Sequence, residues 1–215
     1  VGPKGREVEL VSAADLEGHV GYDGRFYMLD FSRTMPPVHT GLKDRPDHLY
    51  QQFRPEFVRS HTCPLSPDAC SMFGRHNGAL HDSEIVEATH YLKQTHIPDV
   101  ARKVVAEAED ARDILSFSVS EALHRRGVNM RYLGLVHHEL LRYKTESRLV
   151  DLSLIEMCAR VLKNKLRGQM RKVLKALKDP SEAPFNDLVM EEFNAIFGQN
   201  VHTHALWNDY VPKML

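Results

Sequence analysis

Near the start of the chain, apolar residues form short runs separated by turn residues, a pattern typical of β-strands. Glu7–Val11 is predicted as a short strand, and the turn Gly21–Gly24 precedes a second extended run, Arg25–Phe31. An Asp-Gly pair before an aromatic run is a hairpin signature, because glycine adopts a positive φ at little cost. A pair of prolines then ends the extended segment. We therefore predict a β element over about residues 7–35.

From about residue 46 onward, apolar residues recur every three or four positions, which is the period of an amphipathic helix. Prolines at first turns, capping side chains and glycine stops set the predicted ends of these helices. The shorter predicted helices are 67–73 after the cap Ser66, a helix from the cap Asp82 to about Thr95, one beginning at Ile97-Pro98, Val119–Arg126 and Asp187–Phe197.

The clearest predicted element is one long helix over Leu149–Lys178, which Asp179-Pro180 ends. Its apolar residues return every third or fourth position, and we expect that stripe to face the core. The stripe consists of Leu149, Leu152, Ile155, Ala159, Leu162, Leu166, Met170, Val173 and Leu177.

These patterns predict an α+β, mainly α-helical fold: a small N-terminal β-hairpin element followed by a helical body over about residues 46–215. No internal repeat or linker divides the 215 residues, so we expect a single domain over 1–215. No apolar run reaches the roughly 20 residues of a membrane span. Three cysteines without a Cys-x-x-Cys pair favour a reducing compartment, which is consistent with a cytoplasmic location.

The formal net charge of −1 excludes a globally basic nucleic-acid binder, so a polyanion site has to be a local patch. Such a patch exists on the long helix, where eight cations lie in an acid-free stretch: Arg160, Lys163, Lys165, Arg167, Arg171, Lys172, Lys175 and Lys178. A solvated outer face explains this run in the simplest way. A phosphate-binding face is the alternative, and it predicts binding that weakens with salt.

Candidate catalytic and metal chemistry is sparse, and we predict neither an enzyme nor a cofactor. His137-His138 are adjacent, so on a helix their side chains diverge by about 100° and cannot share an ion. His202 and His204 would share a face on a strand, but no third ligand lies nearby in the sequence. The nucleophile elbow and the phosphate-binding glycine loops are missing.

One enzyme-like fragment leaves an alternative open. The Asp30-Phe31 pair after the hairpin turn is loosely similar to the strand of kinase-like phosphotransferases that carries a metal-binding aspartate. On this hypothesis Asp30 is a metal ligand in a nucleotide-binding descendant, active or degenerate. The phosphate-covering loop, the strand lysine and the catalytic loop of a kinase are not recognisable.

Several motifs, taken together and in order, resemble one family. The stretch Glu17–Arg33 resembles the signature hairpin of the Clu domain, found in the clustered mitochondria family. The motif Gly127–Gly134, which reads Gly-Val-Asn-Met-Arg-Tyr-Leu-Gly, is the most specific of the later matches. The others are Leu49-Tyr50 with Arg54–Val58, Leu65–Ala69, Tyr91-Leu92 with Ile97-Pro98, Glu156–Arg160 with Lys163, and the region from Phe193 to Trp207.

The resemblance implies a cytosolic eukaryotic protein needed for mitochondrial distribution and similar to proteins that bind mRNAs for mitochondrial proteins. Links of some members to translation initiation factor three imply mRNA and translation- or ribosome-associated proteins as partners. We expect a non-enzymatic binding or scaffold domain, and a purely structural interaction module is a further alternative. RNA contacts are expected at Arg131, Lys163, Lys165, Arg167, Arg171, Lys172 and Lys175.

The Gly127–Gly134 motif allows two interpretations of its polar residues. Arg131 offers a fork for a phosphate and Tyr132 a stacking face for a base. Alternatively, the motif joins two helices, with Arg131 paired to a buried acid. The compactness of the connection favours this structural role.

Overall fold

The computed structural model of the chain describes residues 12–41, 47–73, 77–110, 116–143, 147–177 and 184–215. Its elements confirm the predicted fold class, mainly α-helical with a small N-terminal hairpin. The strands are β1 (Glu17–Val20) and β2 (Phe26–Leu29). The helices are α1 (Asp47–Tyr50), α2 (Pro55–Ser60), α3 (Gly78–Tyr91), α4 (Ile97–Glu109), α5 (Val119–His124), α6 (Leu133–Arg142), α7 (Ser147–Ala176), α8 (Asn186–Phe197), α9 (Val201–Ala205) and α10 (Val211–Met214).

Three segments between these helices have a different helical pitch. Leu92–His96 and Leu206–Tyr210 are π-helical, and Met130–Tyr132 is a single 3₁₀ turn. The chain divides into two compact units: the first comprises Val1–Glu107 and Ser120–Tyr132, and the second Ala108–Val119 and Leu133–Leu215. The single domain predicted over 1–215 stays a prediction.

The hairpin forms where the Asp-Gly turn predicted it. β1 and β2 pair antiparallel with Val20 opposite Phe26, and Gly24 has a φ of 73°. Asp23 stabilises the turn, because its carboxylate accepts hydrogen bonds from the Arg25 backbone N–H at 3.1 Å and the Tyr27 hydroxyl at 2.8 Å. The Tyr27 hydrogen bond lowers the pKa of Asp23. The strand predicted at Glu7–Val11 lies outside the described residues.

Behind the hairpin, a buried arginine joins three separate segments of the first unit. The Arg33 side chain is 1% exposed, and its Nε and Nη2 donate to the two carboxylate oxygens of Asp15 at 2.7 and 2.6 Å. Nη2 also donates to Asp68 at 3.1 Å, and that carboxylate accepts the backbone N–H of Ala14 at 3.0 Å. The Phe73 ring covers the guanidinium at 4.6 Å. Since a buried charge is tolerated only when it is paired, this network fixes how the three segments meet.

The core of the first unit is built around Phe57 of α2, which is 1% exposed. Its ring contacts those of Phe53, His61 and His96, at centroid distances of 4.8, 5.3 and 5.2 Å. The π-helical segment ends at His96, whose Nε2–H donates to the Arg126 carbonyl at 2.7 Å. This hydrogen bond connects the end of the π-helical segment to the chain that follows α5.

Two predictions for the region before α3 are wrong. Residues 67–73 form turns, since Cys70 has a φ of 56° and Ser66 and Ser71 hydrogen-bond to the backbone of Asp68, which competes with helix formation. Asp82 does not cap α3, because that helix begins earlier, at Gly78. Instead the Asp82 carboxylate accepts the backbone N–H of Cys70 at 2.6 Å and holds the turn against the helix.

In the second unit, α7 confirms the predicted long helix, but its apolar stripe is not the core. Of the stripe residues only Leu149 is buried, at 2% exposed, whereas Ile155 is 62% exposed. The first turns pack on α6, where the His137 Nδ1–H donates to the fully buried Ser153 hydroxyl at 2.7 Å. Farther along, α7 contacts α8 and α10. Three helices therefore share the packing of α7, which leaves most of its apolar stripe only partly covered.

Replacing Arg33 tests the buried network. Arg33→Met would remove the cation that faces the Asp15 and Asp68 carboxylates, and we expect the free energy of unfolding to fall by about 3 kcal/mol. The control Arg25→Met removes an arginine that is 81% exposed and 3.7 Å from Asp23, so a change below about 0.5 kcal/mol is expected. Urea denaturation measures both, and equal losses in the two variants would contradict the assigned role.

The histidine pair beside Phe57 predicts a pH dependence of stability. Burial lowers the pKa of His61, and the nearby charge of His96 lowers it further. In the unfolded chain His61 takes up a proton near its ordinary pKa of about 6.5, whereas in the native state it does so only at lower pH. The free energy of unfolding should therefore decrease as the pH falls from 7 to 5. His61→Phe should flatten that decrease in urea titrations at several pH values. An unchanged slope would show that His61 does not cause it.

Candidate nucleic-acid interface

One face of α7 is continuously basic. Lys163, Arg167, Arg171 and Lys175 each follow the previous cation by four residues, so their side chains succeed one another along the helix. All four are exposed, and none forms an ion pair with a carboxylate in the described ranges. We call these four residues the basic stripe. It spans roughly 18 Å, from a rise of 1.5 Å per residue.

The remaining cations of α7 have other environments. Lys172 is exposed on another side of the helix. Arg160 is half-buried and lies 3.6 Å from the Glu156 carboxylate. Lys178 falls outside the described residues. The basic stripe therefore contains only four of the eight cations in the acid-free stretch of the sequence.

Lys165 differs most from its neighbours, because it points away from the basic stripe and into the second unit. Its ammonium group forms an ion pair with Glu192 of α8, whose side chain is 9% exposed. The same ammonium lies 5.8 Å from the centre of the Tyr210 ring. Since the charge of Lys165 is neutralised by Glu192, it adds little to a phosphate-binding face.

Arg131 belongs to the first unit, whereas the α7 cations belong to the second. The side chain is exposed and its Nη1 donates to the Gln51 amide oxygen at 3.2 Å; a buried acid, the partner expected from the structural interpretation, is not its partner. Arg131 lines a cavity of about 360 Å³ together with Tyr50, Arg54 and Asn129. Tyr50, 75% exposed, is the aromatic ring available there.

Tyr132 cannot be the stacking face that the sequence suggested. The residue is 8% exposed, and burial raises the pKa of its phenol, whose oxygen has no hydrogen-bond partner among the described residues. The 3₁₀ turn over Met130–Tyr132 turns this ring inward. Asn129 stabilises that turn, because its side chain accepts the Arg131 backbone N–H at 3.0 Å.

The two glycines of the Gly127–Gly134 motif have different structural roles. Gly127 has a φ of 76°, and a Cβ there would lie 2.5 Å from the backbone nitrogen of Phe57. Gly134 lies in the first turn of α6 with nothing within 4 Å of its Cβ position. The motif thus joins α5 to α6. Only its first glycine is required by a close approach, which is to the backbone of Phe57.

Asp30 occupies an unusual position, but not one with further metal ligands. It follows β2 with a φ of 58°, and its carboxylate accepts the backbone N–H of Ser32 at 3.2 Å. The residue lines a cavity of about 320 Å³ with Met28, Phe31 and Arg33. Across the described part of the chain, no group of three or more His, Cys, Asp or Glu side chains is placed to hold a metal ion.

The two histidines near the C-terminus lie on a helix. His202 and His204 belong to α9, so they do not share the face that they would share on a strand. The Asn200 side chain caps this helix by accepting the Thr203 backbone N–H at 3.0 Å. An Asn cap before a short polar segment was the signal that the sequence offered for this helix.

The fold and the surface define a mainly helical protein with a basic helix face, and comparisons with known proteins show what the chain is similar to. The model of the family described as "Clustered mitochondria" matches residues 1–39. The model described as "Translation initiation factor eIF3 subunit 135" matches residues 114–210. The second match contains the basic stripe, and the first contains the hairpin and Arg33. No solved structure matches the chain significantly.

Curated relatives point the same way. A "Clustered mitochondria protein homolog" from Candida glabrata is 26% identical over 85% of this chain and 16% of its own length. Proteins with the same description from Eremothecium gossypii and Aspergillus terreus are 26% and 24% identical, over 60% and 66% of this chain and 12% of their own lengths. Over these spans the chain is similar to members of the clustered mitochondria family. It spans about one sixth or less of the length of these relatives.

Alanine substitutions separate the two glycines of the motif. Gly127→Ala combines a left-handed backbone with a clash against Phe57, and we expect a loss of about 3 kcal/mol in unfolding free energy. Gly134→Ala adds a good helix former in open space and should gain up to about 1 kcal/mol. Thermal and urea unfolding measure both. Similar effects of the two substitutions would contradict the close approach at Gly127.

Proposed function

We propose that this chain is a non-enzymatic RNA-binding segment of a cytoplasmic protein that acts in mitochondrial distribution. The observation that carries the proposal is the basic stripe of α7, four exposed cations without ion-pair partners in the described ranges. A surface helix that only needs solubility commonly mixes both charge signs, which pair at i and i+4. The absence of acids between Glu156 and Asp179 instead favours a polyanionic partner.

The stripe suits phosphate groups more than bases. It carries no aromatic side chain, so stacking of the kind seen in single-strand binders has no platform on this face. Lysine and arginine contacts to phosphates release condensed counterions, and affinity then depends steeply on salt. Arg131, with Gln51 and Tyr50 nearby, is a separate candidate contact in the first unit.

The family relations set the biological context of the proposal. The relatives are described as clustered mitochondria proteins, and the match over residues 114–210 is to a translation initiation factor subunit. We infer that this segment acts among messenger RNAs and translation-associated proteins. In the described part of the chain, no helix is long and apolar enough to cross a bilayer.

Charge reversal of the stripe tests the site. Arg167→Glu, Arg171→Glu and Lys175→Glu together should lower affinity for a mixed-sequence RNA at low salt by at least about tenfold, because three phosphate contacts become repulsive. Fluorescence anisotropy measures the affinity. Circular dichroism checks that α7 remains helical, which is expected because all three side chains are exposed.

A matched control reverses three exposed cations elsewhere, through Arg25→Glu, Arg59→Glu and Lys213→Glu. This variant has the same change in net charge, so it separates a local contact from overall attraction. Affinity close to that of the unaltered chain is expected. Equal losses in the two variants would place RNA binding away from the stripe.

A further inference from the structure

A cavity of about 620 Å³ lies in the second unit beside the Lys165–Glu192 ion pair. Its walls come from α7, α8, α9 and the π-helical segment, and Tyr210 and Glu191 lie on it. The volume is in the range of small-ligand sites, which combine an apolar wall with a few convergent polar groups. The pair is largely buried, with side chains 22% and 9% exposed, and an ion pair in such a position needs its remaining polar atoms satisfied.

The ion pair retains unused hydrogen-bonding capacity toward the cavity. Lys165 donates to Oε1 of Glu192, and Oε2 has no hydrogen-bond partner among the described residues. An ammonium group carries three donors, so Lys165 also has donors to spare. The cavity therefore presents a donor and a carboxylate acceptor side by side, with the Tyr210 ring next to them.

The charges of the wall exclude a phosphate and favour a group rich in donors. Glu191 and Glu192 supply two carboxylates against the one cation of Lys165. A nucleobase edge that offers one acceptor followed by two donors fits this arrangement. Guanine alone among the RNA bases has that edge, with O6 beside N1–H and the N2 amino group.

We propose that this cavity binds a guanine base, with Lys165 donating to O6, Glu192 accepting from N1–H and the N2 amino group, and Tyr210 stacking on the ring. Unstacked bases are recognised in proteins by such edge contacts and aromatic platforms. The inference deepens the proposed function and, for RNA, rests on it. Lys172, exposed two helical turns after Lys165, lies on the same side of α7 to receive a neighbouring phosphate. A free guanine nucleotide has the same base chemistry.

The RNA form of the site is tested with the unaltered chain and short oligouridines that differ in one central base. We expect guanosine to bind about tenfold more tightly than adenosine, with inosine, which lacks the N2 amino group, in between. Equal affinity for all three would overturn the guanine assignment while leaving the basic stripe intact. If the unaltered chain bound none of the three oligonucleotides at low salt, that result would instead contradict the proposed RNA function.

A double variant that carries both Lys165→Glu and Glu192→Lys keeps an ion pair between α7 and α8. It places the acceptor on α7 and the donor on α8, the reverse of the unaltered chain. The readout is the ratio of guanosine to adenosine affinity, which should fall to about one. A ratio that stays near ten in a folded variant would overturn the assignment. The base series on the unaltered chain gives its answer even if this exchange does not fold.

Free nucleotides test the cavity without any RNA. Guanosine monophosphate at millimolar concentration should raise the melting temperature of the chain more than inosine monophosphate does, because a ligand that binds the native state stabilises it. A larger shift with guanosine monophosphate but no base preference in RNA would assign the cavity to the free nucleotide. Identical shifts, together with no base preference in RNA, would overturn the proposal.

Discussion

The second unit depends on the packing of one helix, because α7 is thirty residues long and contacts several other helices of that unit. This helix packs on α6, where Ser153 bonds His137, and it also contacts α8 and α10. A helix this long, well above the average of about twelve residues, needs support from several elements. The four cations of the basic stripe lie on sides left uncovered, whereas Lys165 faces α8, so position on the helix decides which cations are solvated.

Lys165 shows how its position around the helix determines the environment of a cation. Its neighbours in the sequence are solvated, yet it pairs with Glu192 because its position on the helix faces α8. The pair joins α7 to α8 and forms part of a cavity wall, while Lys163 and Arg167, only two positions away on either side, face solvent. One helix therefore presents a basic face and part of a cavity wall, each built from a different set of its side chains.

The sequence predicted those features that local rules determine, and it missed those that depend on tertiary contacts. The Asp-Gly hairpin, the length of α7 and the stop at Gly127 follow from turn chemistry and periodicity, and all three are present. The helix at 67–73 and the cap at Asp82 failed, because Asp68 and Asp82 bind distant segments instead. Burial of Tyr132 and the pairing of Lys165 could not be seen in the sequence either, since periodicity shows that a face exists but not what covers it.

The proposal that the basic stripe binds RNA phosphates is tested most directly by the salt dependence of this chain's affinity for RNA. Fluorescence anisotropy with a mixed-sequence single strand measures that affinity. Four phosphate contacts on the basic stripe predict that the logarithm of the binding constant falls with the logarithm of salt concentration with a slope of about −3. A slope of that size would agree with a helix face that neutralises a few phosphates. Absence of binding at low salt, or an affinity that hardly changes with salt, would contradict it.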